Sequence, residues 1–117
     1  MTSVHDLAQA LKALSEPNRL RILKMLELRP LCVCEITEVL QLATSTVSKH
    51  LSILRAAGLI RAEKEGKWIN YHLNEVPGPE SVSSLLHQLT ESLTIDETIR
   101  RDAAAVQAVD RYRICHA

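Results

Sequence analysis

The feature that most constrains this chain is a change of period at Gly58. Before it, in TSTVSKHLSILRAAGLI, Val47, Leu51 and Leu54 recur at helical spacing. After it, Leu59-Ile60-Arg61-Ala62-Glu63 and Trp68-Ile69-Asn70-Tyr71-His72-Leu73 alternate with a period of two. Lys64-Glu65-Gly66-Lys67 joins them, a glycine-containing link of hairpin length. A glycine just past a helix commonly ends it. The chain must therefore pass directly from a helix into a β-hairpin.

Upstream, the pattern is helical throughout. Val4, Leu7, Ala8, Leu11 and Leu14 share one face, and Ser15-Glu16-Pro17-Asn18 closes that helix and opens another. Pro17 suits a first helical turn, where its missing N–H costs nothing. Leu20, Leu23, Met25 and Leu26 carry the second helix to Pro30, and Ile36, Val39 and Leu40 form the stripe of a short third. Gln41-Leu42-Ala43 is a tight turn, after which Thr44-Ser45-Thr46 can cap the fourth helix through their hydroxyls. Pro77-Gly78-Pro79 follows the hairpin, and residues 80–93 and 95–112 read as helices with Leu85, Leu86 and Leu89 as one ridge. Two helices joined by a short turn make a helix-turn-helix, and the hairpin adds a wing. The expected fold is mainly α with a small β-hairpin: one winged helix-turn-helix domain over 1–117, ending in a helical segment from about 80.

The formal net charge of the 117 residues is zero, but its distribution is uneven. Residues 44–74 carry five basic side chains (Lys49, Arg55, Arg61, Lys64, Lys67) against two acidic ones, Glu63 and Glu65, while residues 75–117 carry four basic against seven acidic. A local basic patch governs phosphate binding, not the total. The fourth helix offers Thr44, Ser45, Thr46, Ser48 and Lys49 at its exposed N-terminal end, with His50 beside them. Short hydroxyls keep a helix near base edges and phosphates. Lys64 and Lys67 flank Gly66, placed to straddle a sugar–phosphate backbone. Double-stranded DNA is the implied partner. No nucleophile–base pair, phosphate loop or catalytic carboxylate pair stands out, so an enzyme is not expected. No apolar run approaches the roughly 20 residues of a membrane span, and MTSVHDLAQALKAL mixes charge into a helical pattern unlike a signal peptide. A cytoplasmic protein with reduced thiols is the expectation.

LSEPNRLRILKMLE, LCVCEI, TSTVSKHLSILRAAGLI and KEGKWINYHL together resemble the ArsR/SmtB family of winged-helix metalloregulators, over roughly residues 5–90. The resemblance implies a homodimeric repressor that pairs through residues 4–14 and 80–93, sits on a palindromic operator, and leaves it when a metal or metalloid ion binds. The Cys32–Cys34 pair is similar to the site of arsenite-sensing members, in which a third cysteine often follows where this chain has Thr37. Cadmium and lead sensors add N-terminal cysteines, where this chain has only His5. The late-helix zinc sites of other members need histidine and carboxylate pairs. Here His87, Glu91, Asp96 and Glu97 include a single histidine, and that site reads as absent.

Cys32 fits the apolar stripe that leads to Ile36, as a buried cysteine does. Cys34 shares a helical face with Glu38 and Gln41, and at a helix start its thiolate is favoured. Two positions on a regular helix differ by about 200°. The thiols can therefore meet one ion only if Cys32 lies off the helix, or if binding unwinds the first turn. Soft thiolates select soft ions, and two or three sulfurs suit As(III), and by extension Sb(III), better than four-coordinate zinc. Cys115 is the proposed third ligand, with hydroxide or an exogenous thiol as the alternative. Competing readings are a redox or persulfide switch, a cadmium- or lead-responsive repressor, and a winged-helix protein-interaction module.

Overall fold

The computed structural model describes residues 3–74 and 82–114. Pro77-Gly78-Pro79, the first two residues of the helix expected from 80, and Cys115 lie outside the described residues.

Helices α1 (Val4–Leu14) and α2 (Pro17–Leu28) meet at a short break with both starts capped. The Ser3 hydroxyl accepts the Asp6 N–H at 3.0 Å, and the Glu16 carboxylate accepts the Arg19 N–H at 2.9 Å. Pro17 occupies the first helical turn, as its missing donor suggests. Helices α3 (Val33–Leu40) and α4 (Thr44–Ala56) follow, and Gln41, at φ +56, turns the chain between them. Gly58, at φ +76, then releases it into β2 (Ile60–Glu65) and β3 (Trp68–Leu73). The hairpin turn is Gly66-Lys67, with Gly66 at φ +62. Lys64 stands within β2 opposite Ile69, not at the tip.

A third strand was not legible in the apolar pattern. Leu31–Cys32 forms β1, which pairs antiparallel with β3 (Leu31 with Tyr71, Cys32 with Asn70) to give the order β1-β3-β2. Two residues are too few for a period to show, and this strand is defined by its partner's backbone. The TST segment also behaves differently from expectation: the N-cap of α4 is Ala43, and no side chain caps the helix. Thr44, Ser45 and Thr46 are instead helical and exposed.

The C-terminal part is more divided than the two helices expected. Helix α5 (Val82–Thr90) runs into a 3-10 turn (Glu91–Ile95), and α6 (Glu97–Ala108) starts on an Asp96 cap that accepts the Thr98 and Ile99 N–H groups. Val109 is extended and α7 (Arg111–Ile114) is separate. Ile22, Met25, Leu31, Ile36, Val47, Leu51, Leu54 and Val106 are buried to within 1% exposure and join α2, α3, α4, β1 and α6 in one core. Arg21 clamps α6 onto α2 through a bidentate pair with Asp102, at 2.9 Å for each bond. Of the expected leucine ridge only Leu86 is buried; Leu85 and Leu89 are exposed. On α1, Ala10 and Ala13 face the core while Val4, Leu7 and Leu11 face outward. Among the described residues no helix is long and apolar enough to cross a membrane.

Candidate metal centre and nucleic-acid interface

The two cysteines occupy different backbone states. Cys32 is the N-cap of α3, extended at φ −89 and ψ 169, and is 3% exposed. Cys34 is the second helical residue and exposed. Cys32 therefore lies off the helix, as a shared ion requires. A reciprocal capping box fixes it there: the Cys32 sulfur accepts from the Glu35 backbone, and the Glu35 carboxylate accepts the Cys32 N–H at 3.0 Å. Burial pushes the Cys32 thiol above its ordinary value, with the Glu35 backbone N–H acting the other way. Cys34 is disulfide-bonded, which corrects the expectation of reduced thiols. At Thr37 the hydroxyl oxygen is buried and makes no hydrogen bond among the described residues.

The residue that organises this corner is Glu35, which the sequence reading passed over. It is 2% exposed. Its Oε2 takes Arg29 Nη1 at 3.0 Å, and its Oε1 takes Arg111 Nη2 at 2.9 Å. Burial pushes its carboxyl up, but the Cys32 N–H and the Arg29 guanidinium outweigh that and hold it below the usual range. The spacing signal was present, since an acidic residue three positions after an N-cap is the capping-box pattern. Cysteine in place of serine or threonine concealed it. Arg29 Nη2 also donates to the Val106 carbonyl at 3.0 Å, tying this corner to α6.

Arg111 extends the network to the wing. Its Nη2 also lies 2.8 Å from Asn70 Oδ1 on β3, and Asn70 Nδ2 donates to Glu65 Oε2 at 2.8 Å on β2. The guanidinium sits 5.0 Å from the Trp68 ring centroid, and Tyr112 meets that ring edge-on at 5.9 Å and 88°. Helix α7 thus touches α3 and β3 directly, and reaches β2 through Asn70.

On α4, Val47, Leu51 and Leu54 are buried while Thr44, Ser45, Thr46, Ser48 and Lys49 are exposed. His50 departs from that group. It is half-buried, and its Nδ1 stands 3.2 Å from Arg19 Nη1 on α2. Ser45, Thr46, Lys49, His50, Arg19 and Ile53 line one shallow concavity. Lys64 and Lys67 are exposed on the wing, with Lys67 Nζ 5.2 Å from the Trp68 ring centroid.

A helix-turn-helix backed by a three-stranded wing, with polar side chains along the outer start of its second helix, defines a winged helix-turn-helix transcriptional regulator, a class of DNA-binding proteins and not of enzymes. The chain belongs to the bacterial regulatory proteins of the arsR family, whose model matches residues 16–62. It is 34% identical over 105 residues to the arsenical resistance operon repressor of Escherichia coli, spanning 88% of this chain and 80% of that one. It is 36% identical over 85 residues to a cadmium resistance regulator, a CadC homolog of Staphylococcus aureus, spanning 71% and 70%. Among solved structures, the homodimeric winged helix-turn-helix DNA-binding domain Mb0332 of Mycobacterium bovis aligns over 80% of this chain and 84% of its own, with a TM-score of 0.66 at 26% identity.

Proposed function

We propose that this chain is an arsenite-responsive repressor. A homodimer holds operator DNA through α4 and the wing, and lets go when As(III), or Sb(III) by the same chemistry, binds Cys32 and Cys34. One observation carries the reading. Cys32 off the helix and Cys34 in its first turn put both sulfurs at the same end of α3, the helix that packs on α4. The relative named for arsenical resistance supports the choice of ion.

The third sulfur is assigned to Cys115. It directly follows Ile114, in α7, and α7 packs on α3. A three-sulfur set satisfies a trivalent metalloid, whereas zinc prefers four ligands. Drawing the Cys32 sulfur onto an ion takes it from the Glu35 N–H and loosens the first turn of α3. Couplings of this sort are about 1–3 kcal/mol, roughly 5–150-fold in affinity.

On the DNA side, the first N–H groups of α4 have no side-chain cap, and such a helix start accepts a phosphate readily. Thr44, Ser45, Thr46, Ser48 and Lys49 meet the groove, and Lys64 and Lys67 meet the backbone. His50 acts at one remove, by setting Arg19. The outward leucines of α1 and α5 lie where the family resemblance puts the dimer contact, and apolar faces of this kind mark protein interfaces. Paired recognition helices then reach successive major grooves about 34 Å apart.

The disulfide on Cys34 favours a second reading, in which oxidation releases DNA. One titration separates the two. An operator fragment bound to reduced protein is challenged with arsenite, with Cd(II), and with peroxide or polysulfide. Release by arsenite alone supports the first reading. Release by oxidant without an arsenite response supports the second, and release by Cd(II) alone moves the ion assignment to cadmium.

A further inference from the structure

Among the described residues, one group of three metal-ligating side chains lies apart from the cysteines. The ligand atoms of Glu63, Glu65 and His72 all fall within 4.8 Å of one another. The pleat brings them together. Glu63 and Glu65 are two apart on β2 and share a face with Arg61, and His72 on β3 pairs directly with Arg61.

The atoms are arranged, not merely near. His72 Nε2 stands 3.5 Å from Glu63 Oε2 and 3.4 Å from Glu65 Oε1. It has almost no surface and makes no hydrogen bond among the described residues. The other oxygen of each carboxylate is held from outside the trio: Glu63 Oε1 accepts from Arg61 Nε at 3.0 Å, and Glu65 Oε2 accepts from Asn70 Nδ2 at 2.8 Å. Each carboxylate therefore turns its remaining oxygen toward the imidazole. Outer partners of this sort orient ligands around a metal.

We propose that Glu63, Glu65 and His72 form a second ion site on the wing, for a borderline divalent cation of the zinc class, with water in the fourth position. In a tetrahedron with bonds of about 2.0–2.1 Å, ligand atoms are about 3.3–3.4 Å apart. The two separations from His72 are already close to that length, and the carboxylate oxygens, within 4.8 Å of each other, close around the ion. An imidazole donor argues against magnesium and calcium, which take oxygen ligands. The donor set also differs from the thiolates near α3, so the two sites would sort ions by softness. Both glutamates are half-exposed, which leaves the ion a path from solvent.

The test uses Zn(II) as the probe. Protein with Cys32, Cys34 and Cys115 all changed to Ser is titrated calorimetrically, alone and with His72→Gln or Glu63→Gln added. The thiol-free protein binds Zn(II), and either further change weakens it roughly tenfold or more. In wild type, where the fold of a triple variant is not at issue, the His72 imidazole nitrogen resonances shift on adding Zn(II). Affinity unchanged by His72→Gln and Glu63→Gln overturns the proposal. So does a wild-type His72 resonance that does not move, or saturation only near roughly millimolar Zn(II), which marks an adventitious ion only.

Discussion

Arg111 and Glu35, 76 positions apart, are joined at 2.9 Å, and the same guanidinium nitrogen reaches Asn70 at 2.8 Å. Both ends are largely shielded from water: the Glu35 side chain is 2% exposed and the Arg111 side chain 16%. Arg111→Ala leaves the carboxylate with Arg29 and the Cys32 N–H. We expect a loss of about 1–3 kcal/mol, read as a Tm lowered by several degrees in a circular-dichroism melt. A melt within error of wild type would show that Arg29 suffices.

The same carboxylate sets an acid dependence. The folded pKa of Glu35 lies below its ordinary value of 4.5. The stabilisation is therefore complete above 4.5 and is lost as pH falls through the lower folded value. Urea unfolding at neutral pH and at successively lower pH should show this decline, and Glu35→Gln should flatten it while lowering stability at neutral pH.

The cysteines separate by role. Cys34→Ser changes an exposed residue and removes its disulfide, so the apo-protein should hold its operator with the affinity of reduced wild type and fail to release it with arsenite. Cys32→Ser places a hydroxyl at an N-cap, a position serine favours, and should fold near wild-type stability while also losing release. Undiminished arsenite release by Cys34→Ser, measured by fluorescence anisotropy, would remove that residue from the ion site.

Lys49→Ala and Lys67→Ala should each weaken operator binding across sequences and reduce the salt slope by about one. His50→Gln should act differently, changing affinity through Arg19 with little effect on the slope. Anisotropy titrations over a range of salt read both quantities. An unaltered slope in both lysine variants would take α4 and the wing away from phosphate.

What the sequence disclosed follows from which interactions are periodic. Val47, Leu51 and Leu54 repeat on one face and are all buried. The rotation between positions two apart required Cys32 off α3, or an unwound first turn, for one ion to meet both thiols, and Cys32 does lie off the helix. Periodicity reveals a stripe without revealing what covers it: on α1 the small Ala10 and Ala13 face the core, and the larger Leu7 and Leu11 face outward. Strand β1 was hidden because two residues carry no period. Glu35 was hidden because a cysteine stands where the capping-box pattern expects serine or threonine, and because Arg111 comes from a segment 76 positions away that no local pattern couples to it. Helix α6 stops at Ala108 because Val109 adopts an extended backbone, a break the run of apolar and charged residues does not announce.

The Arg111 bridge also bears on how the molecule is made. Arg21 reaches forward 81 positions to Asp102, and Glu35 waits on a residue 76 positions later. On the ribosome, the segment carrying α3 and α4 emerges long before those partners. Its buried carboxylate then has Arg29 but neither Arg111 nor the Asn70 contact that holds the wing. The contacts that tie α3 to the wing through Arg111 therefore form only after residue 111 has been translated and folded back.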